Sequence, residues 1–352
     1  FTGKYAGGIS IGGNVQFGDT VGLASSTANL KFSDSVSLGS ANRILTIGNG
    51  GIVSILGVIE NSGTGGITFS ATSAGTGRFE ITNNSNTFAG PVSILVGEAR
   101  FSANGSLGVS TNSIVIDGGR LSLVSGTGFQ TLSSSRALSL GDSAGTSLSI
   151  EGASSISYGG VISDVSNKVG SWSKQGSGTL ALGGVSTYSG TTTINAGTLQ
   201  LTSGNDRLPT GTTLSMGQTA ASNLGTLDLN GFSQQLAGLN SLSGTNSTTA
   251  NNTVTSALAA TLTLGGTGHY VFGSATNGNS GVITGSISLV KSGSGTQVLG
   301  DSNTYSGQTR VNAGTLAVDG SLSNSSASVL VNSGGTLGGT GTVNRPVTVN
   351  PG

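Results

Sequence analysis

The sequence predicts an all-β fold, a parallel β-helix running through its 352 residues as an elongated single rod. Three observations point there. Charged residues make up only 7% of the chain, so the polar surface is built of Ser, Thr and Asn. Apolar residues alternate in short pairs, the period of a strand with one buried face. A segment of 28 residues occurs twice without a gap and a third time in weaker form.

So low a charge excludes a coiled coil or a long amphipathic helix, whose solvent faces need Glu, Lys and Arg. Disorder pairs low hydrophobicity with high net charge, whereas here hydrophobic residues are 34% and the net charge is zero. Thirteen basic residues balance thirteen acidic ones and neither sign forms a run, which argues against nucleic acid and against an anionic membrane surface as partners. No apolar stretch has the length of a transmembrane helix. The chain has 63 Gly, 4 Pro and no Cys, so disulfides and thiolate metal sites are excluded. It begins at Phe1 without an initiator Met or a signal sequence and reads as an excised segment.

The repeats carry most of the information. KQGSGTLALGGVSTYSGTTTINAGTLQL runs from Lys174 to Leu201, and KSGSGTQVLGDSNTYSGQTRVNAGTLAV from Lys291 to Val318, with 17 of 28 positions identical. A degenerate copy, GTGRFEITNNSNTFAGPVSILVGEARF, spans Gly75 to Phe101. There Phe88 stands where Tyr188 and Tyr305 stand, Gly90 matches Gly190 and Gly307, and Gly97 matches Gly197 and Gly314. A Gly-Val-Ile tripeptide precedes each copy, at 57–59, 160–162 and 281–283, which sets repeat-like units near 57–108, 160–204 and 281–322. A unit that long holds several coils.

Within the second copy, Leu180 and Leu182, Thr192 and Ile194, and Leu199 and Leu201 have period-two spacing and read as strands. Asn195-Ala196-Gly197 and Asn312-Ala313-Gly314 separate strands and read as tight corners, since Asn and Gly best tolerate a left-handed backbone. Gly190 and Gly307 are expected to need the same conformation. Hairpins in a propeller or sandwich use a similar grammar. The solenoid is favoured because apolar pairs recur throughout without long connections. At roughly 20–25 residues per coil, about 15 coils are expected.

The repeat motif is carried by Gly176, Gly178, Thr187, Tyr188, Gly190, Asn195 and Gly197, and again by Gly293, Gly295, Thr304, Tyr305, Gly307, Asn312 and Gly314. It resembles the passenger-associated transport repeat of bacterial autotransporters. The resemblance implies a right-handed parallel β-helix displayed outside a Gram-negative cell, at the surface or released, with repeats that aid movement across the outer membrane. It implies an outer-membrane translocator barrel on the same polypeptide, and residues 323–352 lack the strands of such a barrel. A host or bacterial surface, or a second copy, is the partner such a passenger would meet.

Candidate chemistry is thin. Tyr188 and Tyr305 read either as a carbohydrate platform or as rings packed at a coil corner, and Phe88 in the third copy favours packing. Lys174 and Lys291 read as solvated charges at a coil edge. His269, the single histidine, lacks a nucleophile elbow and reads as a partly exposed strand residue. The acids are scattered. Asp206 and Asp228 stand about one coil apart, so stacking is the one way they would meet as a glycosidase pair. The calcium-binding nonapeptide is missing. No catalytic residue, metal or cofactor is expected, and a structural stalk is favoured over a polysaccharide-binding or polysaccharide-cleaving β-helix.

Overall fold

A computed structural model describes residues 8–17, 29–48, 50–72, 77–124, 131–151, 155–217, 224–242, 252–273, 280–324 and 326–350. Gly75 and Thr76, which open the degenerate copy, and Asp19 among the acids lie outside these. Backbone packing divides the chain into two compact units, 1–173 and 174–352.

Both units are built of short parallel strands stacked as a β-solenoid, with about 12 turns in all. Cross-coil hydrogen bonds set the length of a coil. Gly66 N reaches Asn42 Oδ1, 24 residues back, and the interval falls to 18 between Asn332 and Asn350 and rises to 30 between Asn14 and Ile44. Such long coils explain why there are fewer turns than the sequence suggests. The described helix is a single 3-10 turn at Asn104–Leu107.

In the first unit, the strands Ile52–Ile55, Arg78–Ile81, Glu98–Phe101, Arg120–Val124 and Ser147–Glu151 lie side by side in strict register. Val53, Phe79, Ala99, Leu121 and Leu148 form one inward column and are buried. Aromatic rings from two neighbouring sheets meet across the core. Phe17 lies 5.6 Å from Phe32, Phe69 lies 5.0 Å from Phe79, and Phe69 lies 5.9 Å from Phe101. Edge-to-face and tilted pairs of this kind add to the burial of the rings themselves.

The second unit fills its core with aliphatic columns. Leu180, Leu199, Leu227, Val254 and Ile283 stand in register and are buried. Each such side chain contributes about 1.5–3 kcal/mol relative to exposure. Just past the strand ends, asparagines join in a polar ladder, Asn350 to Asn332 at 2.9 Å and Asn332 to Asn312 at 2.7 Å. Other amides turn inward. Gln297 is fully buried, and its side chain exchanges hydrogen bonds with the backbone N–H and C=O of Leu239 at 2.9 and 3.0 Å.

Candidate functional site: the repeat corners and an outer sheet face

Gly197 and Gly314 adopt φ of +67° and +63° at the Asn-Ala-Gly corners, and Gly97 adopts +82°. Space is as restrictive as conformation. A Cβ on Gly197 would stand 2.5 Å from the carbonyl oxygens of Gly176 and Gly178. On Gly314 it would stand 2.3 and 2.4 Å from those of Gly293 and Gly295. Gly293 and Gly295 are themselves pressed against the preceding coil, where an added Cβ would stand 2.2 Å from the Gly265 carbonyl oxygen and 2.1 Å from that of Gly268. Asn195 N and Asn312 N donate to the carbonyls of Lys174 and Lys291 at 2.9 and 2.8 Å, tying each corner to the coil before it.

Gly307 differs from the expectation. Its backbone is not left-handed; an added Cβ would meet the Ile287 carbonyl oxygen and Ser288 Oγ, both at 2.5 Å. Close approach between coils is what demands glycine there. In the degenerate copy the matching Gly90 does have positive φ, +126°.

Tyr188, Tyr305 and Phe88 are buried, at 1%, 0% and 1% exposure, and offer no ring face to a sugar. Each tyrosine hydroxyl shares a hydrogen bond with a threonine four residues on, Tyr188 with Thr192 and Tyr305 with Thr309. The degenerate copy has Val92 at that place, and its ring lacks the hydroxyl. Thr187 and Thr304 beside the rings face solvent. Burial pushes the Tyr305 phenol up. The Arg345 guanidinium lies 4.2 Å over its ring and donates to the Tyr305 carbonyl at 2.6 Å.

The lysines overturn the expectation of solvated charges. Lys174 and Lys291 are 0% and 1% exposed. Lys174 Nζ donates to the carbonyls of Gln175 at 2.9 Å, Gly176 at 2.8 Å and Ala196 at 3.0 Å, the last on the next coil. Lys291 Nζ donates to the Gly293 carbonyl. The corner turns point backbone oxygens inward, and a long side chain with three donors satisfies them. Arg136 uses the same device. Fully buried, it donates to the carbonyls of Asn104, Leu107, Gly108, Val109 and Asn112, and burial lowers its pKa to about 10, so it stays cationic at neutral pH.

Asp206 and Asp228 do not meet. Asp228 stands in register with Gln200, whose Nε2 donates to it at 2.8 Å, while Asp206 accepts from Gln235 N at 2.8 Å. His269 is exposed on its strand. Among the described residues, no three His, Asp or Glu side chains converge as a metal site would require.

One charged surface was not foreseen. On the outer face of the first unit's sheet, Arg78 and Glu80 pair at 2.9 Å, and Glu98 and Arg100 pair at 2.9 Å on the next strand. Glu151 lies 3.6 Å from Arg100. Burial raises the Glu98 carboxyl, but hydrogen bonds from Ser122 and Arg100 outweigh it and leave the group below its ordinary value. The Arg-x-Glu and Glu-x-Arg pairs, with opposite order, were the available signal, but only the register shows that they are neighbours.

A family model for the passenger-associated transport repeat matches residues 72–98, 173–201 and 289–318. The chain carries the repeats of autotransporter passengers. A stretch of 47 residues is 53% identical to the adhesin BmaC autotransporter of Brucella suis biovar 1 (strain 1330). That match covers 13% of this chain and 1% of the Brucella protein. No solved structure matches the chain significantly. The three matched segments are those whose glycine corners and buried aromatic rings are described above.

Proposed function

We propose that the chain is a non-enzymatic stalk segment of a surface-displayed or secreted autotransporter passenger, adhesive or self-associating in its outer faces. Its repeats serve folding and translocation across the outer membrane. A translocator barrel on the same polypeptide is the partner this reading requires. The observation that supports it best is the shared inter-coil chemistry of the repeats. The corner glycines press coil against coil, the Lys174 ammonium reaches the next coil, and the rings and lysines are buried instead of being presented to a ligand. Coils that stack as they emerge release free energy outside the cell and bias the chain against sliding back.

The test is surface display. The chain is fused upstream of a translocator barrel, and its exposure on intact cells is read by protease accessibility. Removing residues 291–318 is expected to cut surface exposure and leave degraded chain in the periplasm. Equal display without that repeat would defeat the translocation role. Release of reducing ends from a panel of acidic and neutral polysaccharides would favour the enzymatic alternative instead.

A further inference from the structure

The charged face of the first unit has a symmetry that names a partner. Across neighbouring strands, Arg78 stands in register with Glu98, and Glu80 with Arg100. Along each strand the sign also alternates, Arg78 then Glu80, and Glu98 then Arg100. The four side chains therefore form a two-by-two checkerboard. Arg120 extends it by continuing the alternation after Glu98. Three of the four ion pairs among the described residues lie on this face, in a chain with only 7% charge.

We infer that this face docks a second copy of the same chain, face to face about a two-fold axis lying in the interface. Such an axis reflects the pattern of one face onto the other. With the axis along the stacking direction, Arg78 meets the position of Glu80 on the other copy, and Glu98 meets that of Arg100. With the axis along the strands, Arg78 meets Glu98, and Glu80 meets Arg100. Both place opposite signs together, because a checkerboard changes sign across either midline. An isologous pair of this kind closes on itself as a dimer.

The alternation disfavours the other partners. A polyanion would meet Glu80, Glu98 and Glu151, and a polycation Arg78, Arg100 and Arg120. The side chains lie flat, 19–31% exposed in the paired residues, so the face is shallow and already partly ordered. Five strands at about 4.8 Å and five residues at about 3.3 Å make a patch of roughly 24 by 16 Å, below the area of a permanent interface. The dimer is weak and salt-sensitive, since its contacts are exposed charges. This inference deepens the self-associating part of the function proposed above and rests on it. Because dimerisation is read in solution and display on cells, the two can fail separately.

The experiment is sedimentation velocity on the purified chain across protein concentration and salt. A concentration-dependent dimer is expected, with affinity reduced roughly tenfold or more between low and high salt. Two charge variants are then compared, Glu80→Arg with Glu98→Arg, and Arg78→Glu with Arg100→Glu. Each alone should be monomeric, and an equimolar mixture should dimerise at least as tightly as the unmodified chain. A strictly monomeric unmodified chain, a dimer indifferent to salt, a variant that dimerises alone, or a mixture of folded variants that stays monomeric would each overturn the inference. Circular dichroism reports whether the variants fold; where one does not, the salt dependence of the unmodified chain decides.

Discussion

Tyr305 Oη and Thr309 Oγ1 share a hydrogen bond of 2.7 Å inside the corner of the last repeat, where both residues are fully buried. The degenerate copy substitutes both partners at once, Phe88 for the tyrosine and Val92 for the threonine. Either the ring carries a hydroxyl and meets another, or neither is present. A buried hydroxyl without a partner costs more than a hydrogen bond gains, so the two positions are coupled.

Tyr305→Phe and Thr309→Val should each destabilise the chain by about 1–2 kcal/mol in chemical denaturation, and the double variant by less than their sum. A coupling energy near zero in that cycle would mean that the hydroxyl pair is incidental.

Gly314→Ala should cost more than about 2 kcal/mol, because the added methyl meets two carbonyls at 2.3 and 2.4 Å on a left-handed backbone. Gly338→Ala is the control. Nothing lies within 4 Å of its added methyl, and its backbone is not left-handed. Equal midpoints for the two in guanidinium would refute the corner account.

Lys291 predicts an unusual pH dependence. Burial lowers its pKa in the folded chain below the ordinary lysine value of 10.5. The folded state therefore releases this proton before the unfolded state does, and the charged lysine carries a penalty at neutral pH. That contribution to stability rises with pH from the lowered folded value up to 10.5 and is constant above it. Tyr305 has the opposite sign, since its raised pKa makes its contribution fall once the unfolded phenol ionises near 10. The stability of the unmodified chain relative to Lys291→Met should rise with pH below 10.5 and level off above it, the tyrosine loss being common to both. Parallel stability curves for the two would contradict the burial of this lysine.

Ser186 is an imperfect rung. Its repeat equivalents are Asn86, which accepts from Ile59 N and donates to the Ser106 carbonyl, both at 2.8 Å, and Asn303, which accepts from Ile283 N at 2.8 Å and donates to the Asp301 carbonyl at 2.7 Å. Ser186 Oγ is buried without a hydrogen-bond partner among the described residues. Ser186→Asn should raise stability by about 1 kcal/mol, visible as a higher thermal midpoint. A lower midpoint would show that the pocket at this copy does not admit the amide.

The repeat, its corners and the stacked parallel strands could all be read from the residues. Period two marks a strand locally, and a glycine at a forced corner recurs wherever the corner does, so both signals survive in one dimension. Asn195-Ala196-Gly197 is legible for that reason. The lysines were misread for a related one. In a charge-poor chain a lone Lys has no carboxylate nearby in sequence and looks solvated, but the carbonyls that hold Lys174 belong partly to Ala196 on the following coil.

By itself the sequence determined that strands alternate inward and outward, where the chain turns, and which repeat it carries. Tertiary structure alone decided the register. The interval between coils varies from 18 to 30 residues. Spacing along the chain therefore could not tell which side chains would stand together. That interval set Asp228 beside Gln200 instead of Asp206 and aligned Arg78, Glu80, Glu98 and Arg100 into one face. It also brought carbonyls to Lys174 and Arg136. The physical reason is that neighbours in a solenoid are chosen by hydrogen bonding between successive coils, an interaction that a linear sequence carries only once the length of every coil is known.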